Sequence, residues 1–123
     1  MTAKLAQKHP WVDEFAVGIT VCDSKGIVLE MNRKSVANFR GEGGGKLIGK
    51  NLFDCHPEPA RTKLRKIMRR RQRNVYTVQK RGKRKLIYQG PWFTAGQYRG
   101  FVELSVELPS RIPHINRDLE RSR

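Results

Sequence analysis

One candidate for chemistry in this sequence is His56, which stands between Cys55 and Pro57 at the start of a predicted helix. A histidine ring that projects into an apolar pocket could contact a small molecule or serve as an axial ligand to haem iron. Covalent haem attachment is excluded, because the sequence has no Cys-x-x-Cys-His motif. The alternative is a structural histidine that bonds the backbone or caps the helix.

The two cysteines, Cys22 and Cys55, are candidates for redox or flavin chemistry. Nothing in the sequence beyond nearby basic residues argues for an activated thiol, so both are interpreted as small buried hydrophobic residues. Two cysteines are too few for a disulfide scaffold, which favours a reducing, cytoplasmic setting. No paired Cys or His spacing predicts a metal site.

The strongest concentration of charge is a basic run at residues 61–85, which contains thirteen Lys or Arg and no Asp or Glu. The whole chain has a formal charge of +15, from 26 basic and 11 acidic residues. A solvated face normally mixes both signs, so the run predicts a surface for nucleic acid or another polyanion. The residues assigned to that surface are Arg65, Arg69, Arg70, Arg73, Arg81, Lys83 and Arg84. A solvent face that is merely rich in arginine is the alternative.

Motifs of common catalytic sites are missing. The GEGGG segment at residues 41–45 lacks the Lys and Ser/Thr of a phosphate-binding loop. There is no nucleophile elbow and no plausible pair of carboxylates, and Glu103 and Glu107 are interpreted as solvent-exposed strand residues. The sequence therefore favours binding over catalysis.

The elements that must position these residues begin with a short helix over Trp11–Phe15. A turn at Asp23–Gly26 between two alternating apolar runs predicts a β-hairpin. Asn32 then caps a helix over Arg33–Phe39, and the glycines of residues 41–45 predict a mobile loop.

The clearest helix covers residues 57–72, with Asp54 as a plausible cap and an apolar stripe that includes Leu64 and Met68. Three strands follow, over residues 74–80, 84–93 and 98–109. In the last strand Val102, Leu104, Val106 and Leu108 are expected to form the buried face. Together the elements predict an α+β fold, a five-stranded antiparallel sheet with short helices and one long helix packed on one face.

At roughly residues 11–109 the sequence resembles the PAS (Per-Arnt-Sim) sensory family. The resemblance rests on VCDSKGIVLEMN, LIGKNLFD, the amphipathic helix after it, and YRGFVELSVEL. The segments CHPEPARTKL and IYQGPWF are similar to a bacterial subgroup with Cys-His-Pro at the head of the long helix. The resemblance implies a sensory module that binds a small molecule in its core, forms dimers and passes a signal to an output protein.

The resemblance implies a ligand between the sheet and the helices, so side chains of these elements are the candidate ligand contacts. They are Phe39, Phe53, His56, Ile67, Met68, Tyr88 and Trp92. Haem-binding members usually carry their histidine further into the long helix, and the Asn-Cys-Arg motif of flavin photosensors is missing, so both cofactors are disfavoured. Tyr76, Tyr88, Trp92 and Phe93 could stack on a flat ligand or simply pack the sheet.

The domain boundaries expected are a flanking segment at residues 1–15, a PAS-like domain at 16–109, and a polar, flexible tail at 110–123. No apolar run reaches the roughly 18 residues of a membrane span, and no signal peptide is recognised. Leu5, Trp11 and Phe15 are large apolar residues in a short segment, which predicts a homodimer formed through this segment or the sheet surface.

Overall fold

A five-stranded antiparallel sheet forms the centre of the fold, in the spatial order β2-β1-β5-β4-β3. The structure is a computed structural model that describes residues 9–119. Its strands are β1 Gly18–Asp23, β2 Val28–Met31, β3 Asn74–Lys80, β4 Lys83–Thr94 and β5 Gln97–Glu107. Its α-helices are α1 Pro10–Asp13, α2 Arg33–Asn38, α3 Leu52–Cys55 and α4 Ala60–Arg70. The predicted α+β fold is confirmed.

The turn between β1 and β2 forms where the sequence predicts it. The Asp23 carboxylate accepts hydrogen bonds from the backbone N–H groups of Lys25 and Ile27, at 2.9 and 3.0 Å. Gly26 has a φ of +88°, which favours glycine because it carries no Cβ. Local side-chain and backbone chemistry therefore sets this hairpin.

Asn32 joins three elements through one fully buried side chain. Its Oδ1 accepts hydrogen bonds from the N–H groups of Ile19 and Ser35, at 2.9 and 3.0 Å. Its Nδ2 donates to the carbonyls of Val12 and Val17, at 3.0 and 2.9 Å. Asn32 is thus the predicted cap of α2 and also fixes α1 and the entry to β1.

The region between the hairpin and the long helix departs from prediction. The glycine-rich segment lies largely within two 3₁₀ helices, Arg40–Glu42 and Gly44–Leu47, rather than in an irregular loop. Asp54 lies inside the separate helix α3, whose cap is Asn51, and so does not cap the long helix. The long helix begins at Ala60 after Pro59 and is shorter than residues 57–72, because Arg71 adopts a left-handed conformation with a φ of 54°.

The two faces of β5 are reversed relative to prediction. In the sheet register Phe101 pairs with Cys22, and both belong to the buried core beneath the helices. Side chains alternate along a strand, so Glu103 and Ser105 also face the helices, whereas Leu104 and Val106 lie on the outer face. The prediction failed because the outer face of the sheet is the more apolar of the two in this strand, so alternation alone identified the wrong side as the core.

A cluster of buried apolar residues lies beneath the long helix. Cys22, Phe53, Met68 and Phe101 form a buried cluster, against which Leu64 and Ile67 of α4 pack. Gly100 allows the backbones of β1 and β5 to approach, because a Cβ there would lie 2.0 Å from the Cys22 carbonyl oxygen. This cluster therefore lies towards the end of β1 that leads into the β1–β2 turn.

Candidate functional site

A cavity of about 500 Å³ lies between the inner face of the sheet and the helices. All five strands contribute to its wall, together with the C-terminal end of α2, both ends of α3, and Leu64 and Met68 of α4. Its apolar wall residues include Val28, Met31, Leu64, Met68, Ile87 and Phe101. Its polar wall residues include Thr20, Asn38, His56, Lys85, Gln89, Glu103 and Ser105. Mixed apolar and polar walls of this size suit a small organic molecule.

Three of the seven predicted ligand contacts lie in this wall: Phe39, His56 and Met68. The other four lie elsewhere. Phe53 and Ile67 pack in or against the core cluster, and Tyr88 is exposed on the outer face of the sheet, opposite Leu104. Trp92 donates a hydrogen bond from Nε1 to the Cys22 carbonyl at 3.0 Å. Among the four aromatic strand residues, Tyr76 alone lines the cavity.

A row of hydrogen-bonded polar side chains crosses the inner face of the sheet. Asn74 Nδ2 donates to Gln89 Oε1 at 3.0 Å, and Gln89 Nε2 donates to Glu103 Oε2 at 2.8 Å. Burial raises the pKa of the Glu103 carboxyl, while the Gln89 hydrogen bond and nearby His56 oppose that rise. The row therefore supplies hydrogen-bonding groups at the base of a largely apolar cavity.

His56 occupies the wall with a defined ring orientation. Its Nδ1 lies 2.6 Å from the Leu52 carbonyl oxygen. A carbonyl can only accept, so Nδ1 carries a proton and Nε2 is the ring nitrogen left for another partner. The structural role considered for this histidine and a ligand contact are therefore compatible, since each uses a different nitrogen.

The two cysteines differ in environment. Cys22 is buried, and burial raises the pKa of its thiol, which disfavours a reactive thiolate. Cys55 is exposed at the cavity wall, so the interpretation of both cysteines as buried residues was wrong for Cys55. The sequence places it just before the predicted long helix, and in the structure it ends the one-turn helix α3.

The predicted polyanion contacts are distributed over two parts of the surface. Arg65, Arg69, Arg70 and Arg73 lie on or just after α4, whereas Arg81, Lys83 and Arg84 lie at the β3–β4 turn, and all are exposed. Arg65 and Arg69, with Arg71, line a second, more open cleft of about 360 Å³. The Arg65 and Arg71 guanidinium carbons lie 4.3 and 4.6 Å from the ring centroids of Phe53 and Tyr98.

Several wall residues were missed by the sequence analysis, namely Thr20, Asn38, Lys85, Gln89, Glu103 and Ser105. Glu103 alternates with Ser105 and Glu107 along β5, and this pattern does not show which face the helices cover. Asn38 and Lys85 are 47 positions apart, and only the folded chain brings them together.

Comparison with solved structures identifies the same fold in proteins of low sequence identity. A C-terminal domain from Streptococcus mutans matches with a TM-score of 0.68 at 19% identity, covering 84% of each chain. The PAS domain of BvgS from Bordetella pertussis matches with a TM-score of 0.63 at 17% identity, covering 88% of each chain. The Aer2 receptor of Vibrio cholerae, described as a dual PAS-heme oxygen sensor, matches with a TM-score of 0.57 at 16% identity, covering 76% of this chain and 95% of that one.

A search of curated proteins finds no match. None of the helices in residues 9–119 combines the length and apolar character needed to cross a membrane. The family model described as PAS fold matches residues 12–80, more than half of the 123 residues. The match spans the first hairpin, the helices around the cavity and strand β3. The chain belongs to the PAS fold family.

Proposed function

We propose that this PAS domain is a sensory module that binds a small molecule in the cavity between its sheet and its helices. The main support for the proposal is the size of the cavity. Its volume of about 500 Å³ lies within the range of roughly 300–1,000 Å³ that is usual for small-molecule sites. Its apolar walls would supply affinity, and the groups of the Glu103 row and His56 would fix orientation. The function is binding rather than catalysis.

Membership of the PAS family supports this proposal. PAS domains are sensory modules, and Aer2, which shares the fold, is described as a heme oxygen sensor. In the present chain His56 Nε2 is the ring nitrogen available to a ligand, because Nδ1 lies on the Leu52 carbonyl. The proposal includes any compact organic ligand that the wall can hold and does not require haem.

Ligand carriage can be tested on freshly purified full-length protein. Native mass spectrometry should give a mass above that of the chain, which falls to the chain mass after denaturation. An absorption spectrum of the same sample distinguishes haem or flavin from a colourless ligand. A chain mass alone, both before and after incubation with a small-molecule extract of the source cells, would contradict the proposal.

We also propose that the outer face of the sheet forms a dimer interface. Its half-buried or exposed apolar residues lie on three neighbouring strands: Ile19, Val21, Leu86, Tyr88, Leu104 and Val106. Trp11 and Phe15 are 64% and 49% exposed and stack edge to face with ring centroids 5.8 Å apart. Contiguous exposed apolar area of this kind marks an interaction surface, and a second copy of the chain would cover it. Leu5, which contributed to the same prediction, lies outside the described residues.

Polyanion binding by the basic run is a second candidate function. It is favoured by one observation: none of the thirteen Lys and Arg of residues 61–85 lies within 4.0 Å of a carboxylate of the described chain. Arginines without acidic partners remain available for phosphate groups. Two of them, Arg65 and Arg71, also lie over aromatic rings. This surface is separate from the inner cavity except at Lys80, Lys83 and Lys85.

A further inference from the structure

The second cleft, of about 360 Å³, lies between α4, the β1–β2 turn and the start of β5. It shares only Met68 with the inner cavity. Three of its seven lining residues are Arg65, Arg69 and Arg71, and none of the seven is acidic. This arginine cleft therefore concentrates positive charge in one concave site on the surface.

Two of the three guanidinium groups are held over aromatic rings. The Arg65 guanidinium carbon lies 4.3 Å from the centroid of the Phe53 ring, and that of Arg71 lies 4.6 Å from the centroid of the Tyr98 ring. A stack of this kind uses the flat face of the guanidinium and leaves the N–H groups at its edge for other partners. Both groups are thus positioned before any ligand arrives, which lowers the entropy lost on binding.

The rings beneath these arginines are themselves fixed by the fold. Phe53 is buried, and it packs so closely on the β1–β2 turn that a Cβ on Gly26 would lie 2.8 Å from the ring. The Tyr98 hydroxyl donates a hydrogen bond to the Met68 carbonyl across 3.4 Å. The Tyr98 ring also meets Phe101 edge to face, with centroids 6.3 Å apart. The two stacked arginines therefore rest on a rigid base.

Arg69 has no comparable structural contact. It lies one helical turn after Arg65 in α4, and its side chain makes no hydrogen bond, ion pair or ring contact with the rest of residues 9–119. Like charges at this spacing repel each other. The helix dipole favours a cation in the last turn, but Arg70 supplies one without lining the cleft. An anion in the cleft would account for Arg69.

The acidic residues nearest in sequence to the cleft have other partners. Asp23 precedes the turn, and its carboxylate accepts the N–H groups of Lys25 and Ile27. Glu58 precedes the first turn of α4, and its carboxylate accepts two hydrogen bonds from Thr62, at 3.1 and 2.7 Å. Neither carboxylate belongs to the lining, so the charge of the arginines is not neutralised inside the cleft.

The carbonyl groups at the end of α4 would oppose an anion if they were unpaired. The Met68 carbonyl accepts the Arg71 N–H at 3.2 Å and the Tyr98 hydroxyl, and the Ile67 carbonyl accepts the Gln72 N–H at 3.4 Å. Hydrogen bonding therefore satisfies these two carbonyls, and the guanidinium groups dominate the cleft.

We propose that the arginine cleft binds a phosphate monoester, whose terminal oxygens accept hydrogen bonds from Arg65, Arg69 and Arg71. Such a group carries close to two negative charges at neutral pH and has three strong acceptor oxygens. The planar fork of a guanidinium matches phosphate oxygens in pairs. The inference is independent of the ligand in the inner cavity. It also goes beyond the polyanion surface, because it assigns one discrete site to a single phosphate group.

Two small probes separate a monoester from a general attraction for anions: methyl phosphate and dimethyl phosphate. Each is titrated into the full-length protein at about 0.15 M salt, which screens diffuse attraction, and backbone amide and arginine Nε–H chemical shifts are followed. Methyl phosphate should bind about tenfold more tightly than dimethyl phosphate, which carries one charge and two unesterified oxygens. The shifts should concentrate in α4, the β1–β2 turn and the start of β5.

Equal affinities for the two probes would overturn the proposal. Shifts of the same size at the β3–β4 turn, or no binding of methyl phosphate, would overturn it as well. The polyanion function fails or stands separately, by the salt dependence of DNA binding.

Neighbouring arginines provide a matched pair of variants. Arg69→Gln should weaken methyl phosphate about tenfold, whereas Arg70→Gln removes the same charge from the next position, which does not line the cleft, and should change the affinity little. Arg69→Lys keeps the charge without the planar fork and should give an intermediate loss. Both positions are exposed, and circular dichroism checks that the helix is intact. Equal losses in Arg69→Gln and Arg70→Gln would show that only net charge matters and would contradict the site.

The phosphate monoester could come from a phosphorylated metabolite or from a phosphoserine side chain of a partner protein. Glucose 6-phosphate and a phosphoserine pentapeptide, each compared with its unphosphorylated form, distinguish the two sources. Tighter binding of one of them identifies the source, and the binding should require the phosphate in either case. Binding that persists without the phosphate would contradict the proposal.

Discussion

Gln89 donates a hydrogen bond to the Glu103 carboxylate across 2.8 Å on the face of the sheet that lines the cavity. The sequence pattern predicts Glu103 in solvent and its neighbour Leu104 in the core. The bond explains how a carboxyl group can occupy the inner face of a central strand, since a buried polar group needs a partner. It also makes Glu103 a probe of the environment inside the cavity.

The raised pKa of Glu103 predicts a definite pH dependence of stability. The folded state holds the Glu103 proton more tightly than the unfolded state does. The carboxyl therefore adds to the free energy of unfolding below its ordinary pKa, and this contribution is lost as the pH rises through the raised pKa of the folded state. Glu103→Gln should therefore gain stability relative to the unsubstituted protein as pH rises from about 4 to about 8.

Urea unfolding across that pH range measures the difference between the two proteins. Glu14→Gln makes the same change at an exposed position, and its difference from the unsubstituted protein should stay small throughout. A Glu103→Gln difference that shrinks with rising pH would mean that the carboxyl is stabilised in its charged form.

Among substitutions of a single amide side chain, we expect that of Asn32 to cause the largest loss of stability. Asn32→Ala removes four hydrogen bonds from a fully buried position and should cost about 3–5 kcal/mol in the free energy of unfolding. Asn51→Ala removes one cap bond, to the N–H of Phe53, and should cost about 1 kcal/mol. Chemical denaturation ranks the two variants, and equal losses would show that Asn32 acts only as a helix cap.

The outer-face interface predicts that Leu104→Asp shifts the protein towards monomer without unfolding it. Leu104 is half-buried on the outer face, and a charge there would remain desolvated in a dimer. Sedimentation measures the mass, and circular dichroism checks the fold. Ile112→Asp, at a residue that is 60% exposed outside the sheet, should leave the dimer intact. An unsubstituted protein that is monomeric at all concentrations would rule this interface out.

The basic surface predicts salt-dependent binding to duplex DNA or heparin. Each phosphate neutralised on duplex DNA adds about −0.9 to the slope of log affinity against log salt. Replacing Arg69, Arg70 and Arg73 together with Gln should reduce the magnitude of that slope by about 2–3. Replacing Lys25, Arg40 and Arg111, which are exposed elsewhere, removes equal charge as a control. Equal reductions in both triple variants would show that only net charge matters.

Much of the fold was predictable because its signals are local. The Asp23–Gly26 turn, the Asn32 cap and the strand Asn74–Lys80 depend on chemistry within a few residues, and the structure confirms all three. The end of the long helix was less predictable, because it depends on the left-handed Arg71 rather than on a glycine or proline.

The cavity was predictable only in part, because its wall combines residues distant in sequence. Phe39, His56 and Met68 follow from helical positions and from the family resemblance, and they do line the wall. Glu103 and Ser105 were missed because alternation in β5 identifies two faces but does not say which one the helices cover. Lys85 belongs to the basic run in the sequence, whereas in the structure it is half-buried, contacts Asn38 and contributes to the cavity wall.

The most direct test of the central claim compares Ser105→Phe with Val106→Phe. These neighbours lie on opposite faces of β5, so the first substitution fills the cavity and the second adds the same ring to the outer face. Native mass spectrometry of the two full-length variants measures how much small molecule each one carries. We predict that Ser105→Phe loses the bound molecule and that Val106→Phe retains it. Undiminished occupancy in a folded Ser105→Phe variant would contradict ligand binding in this cavity.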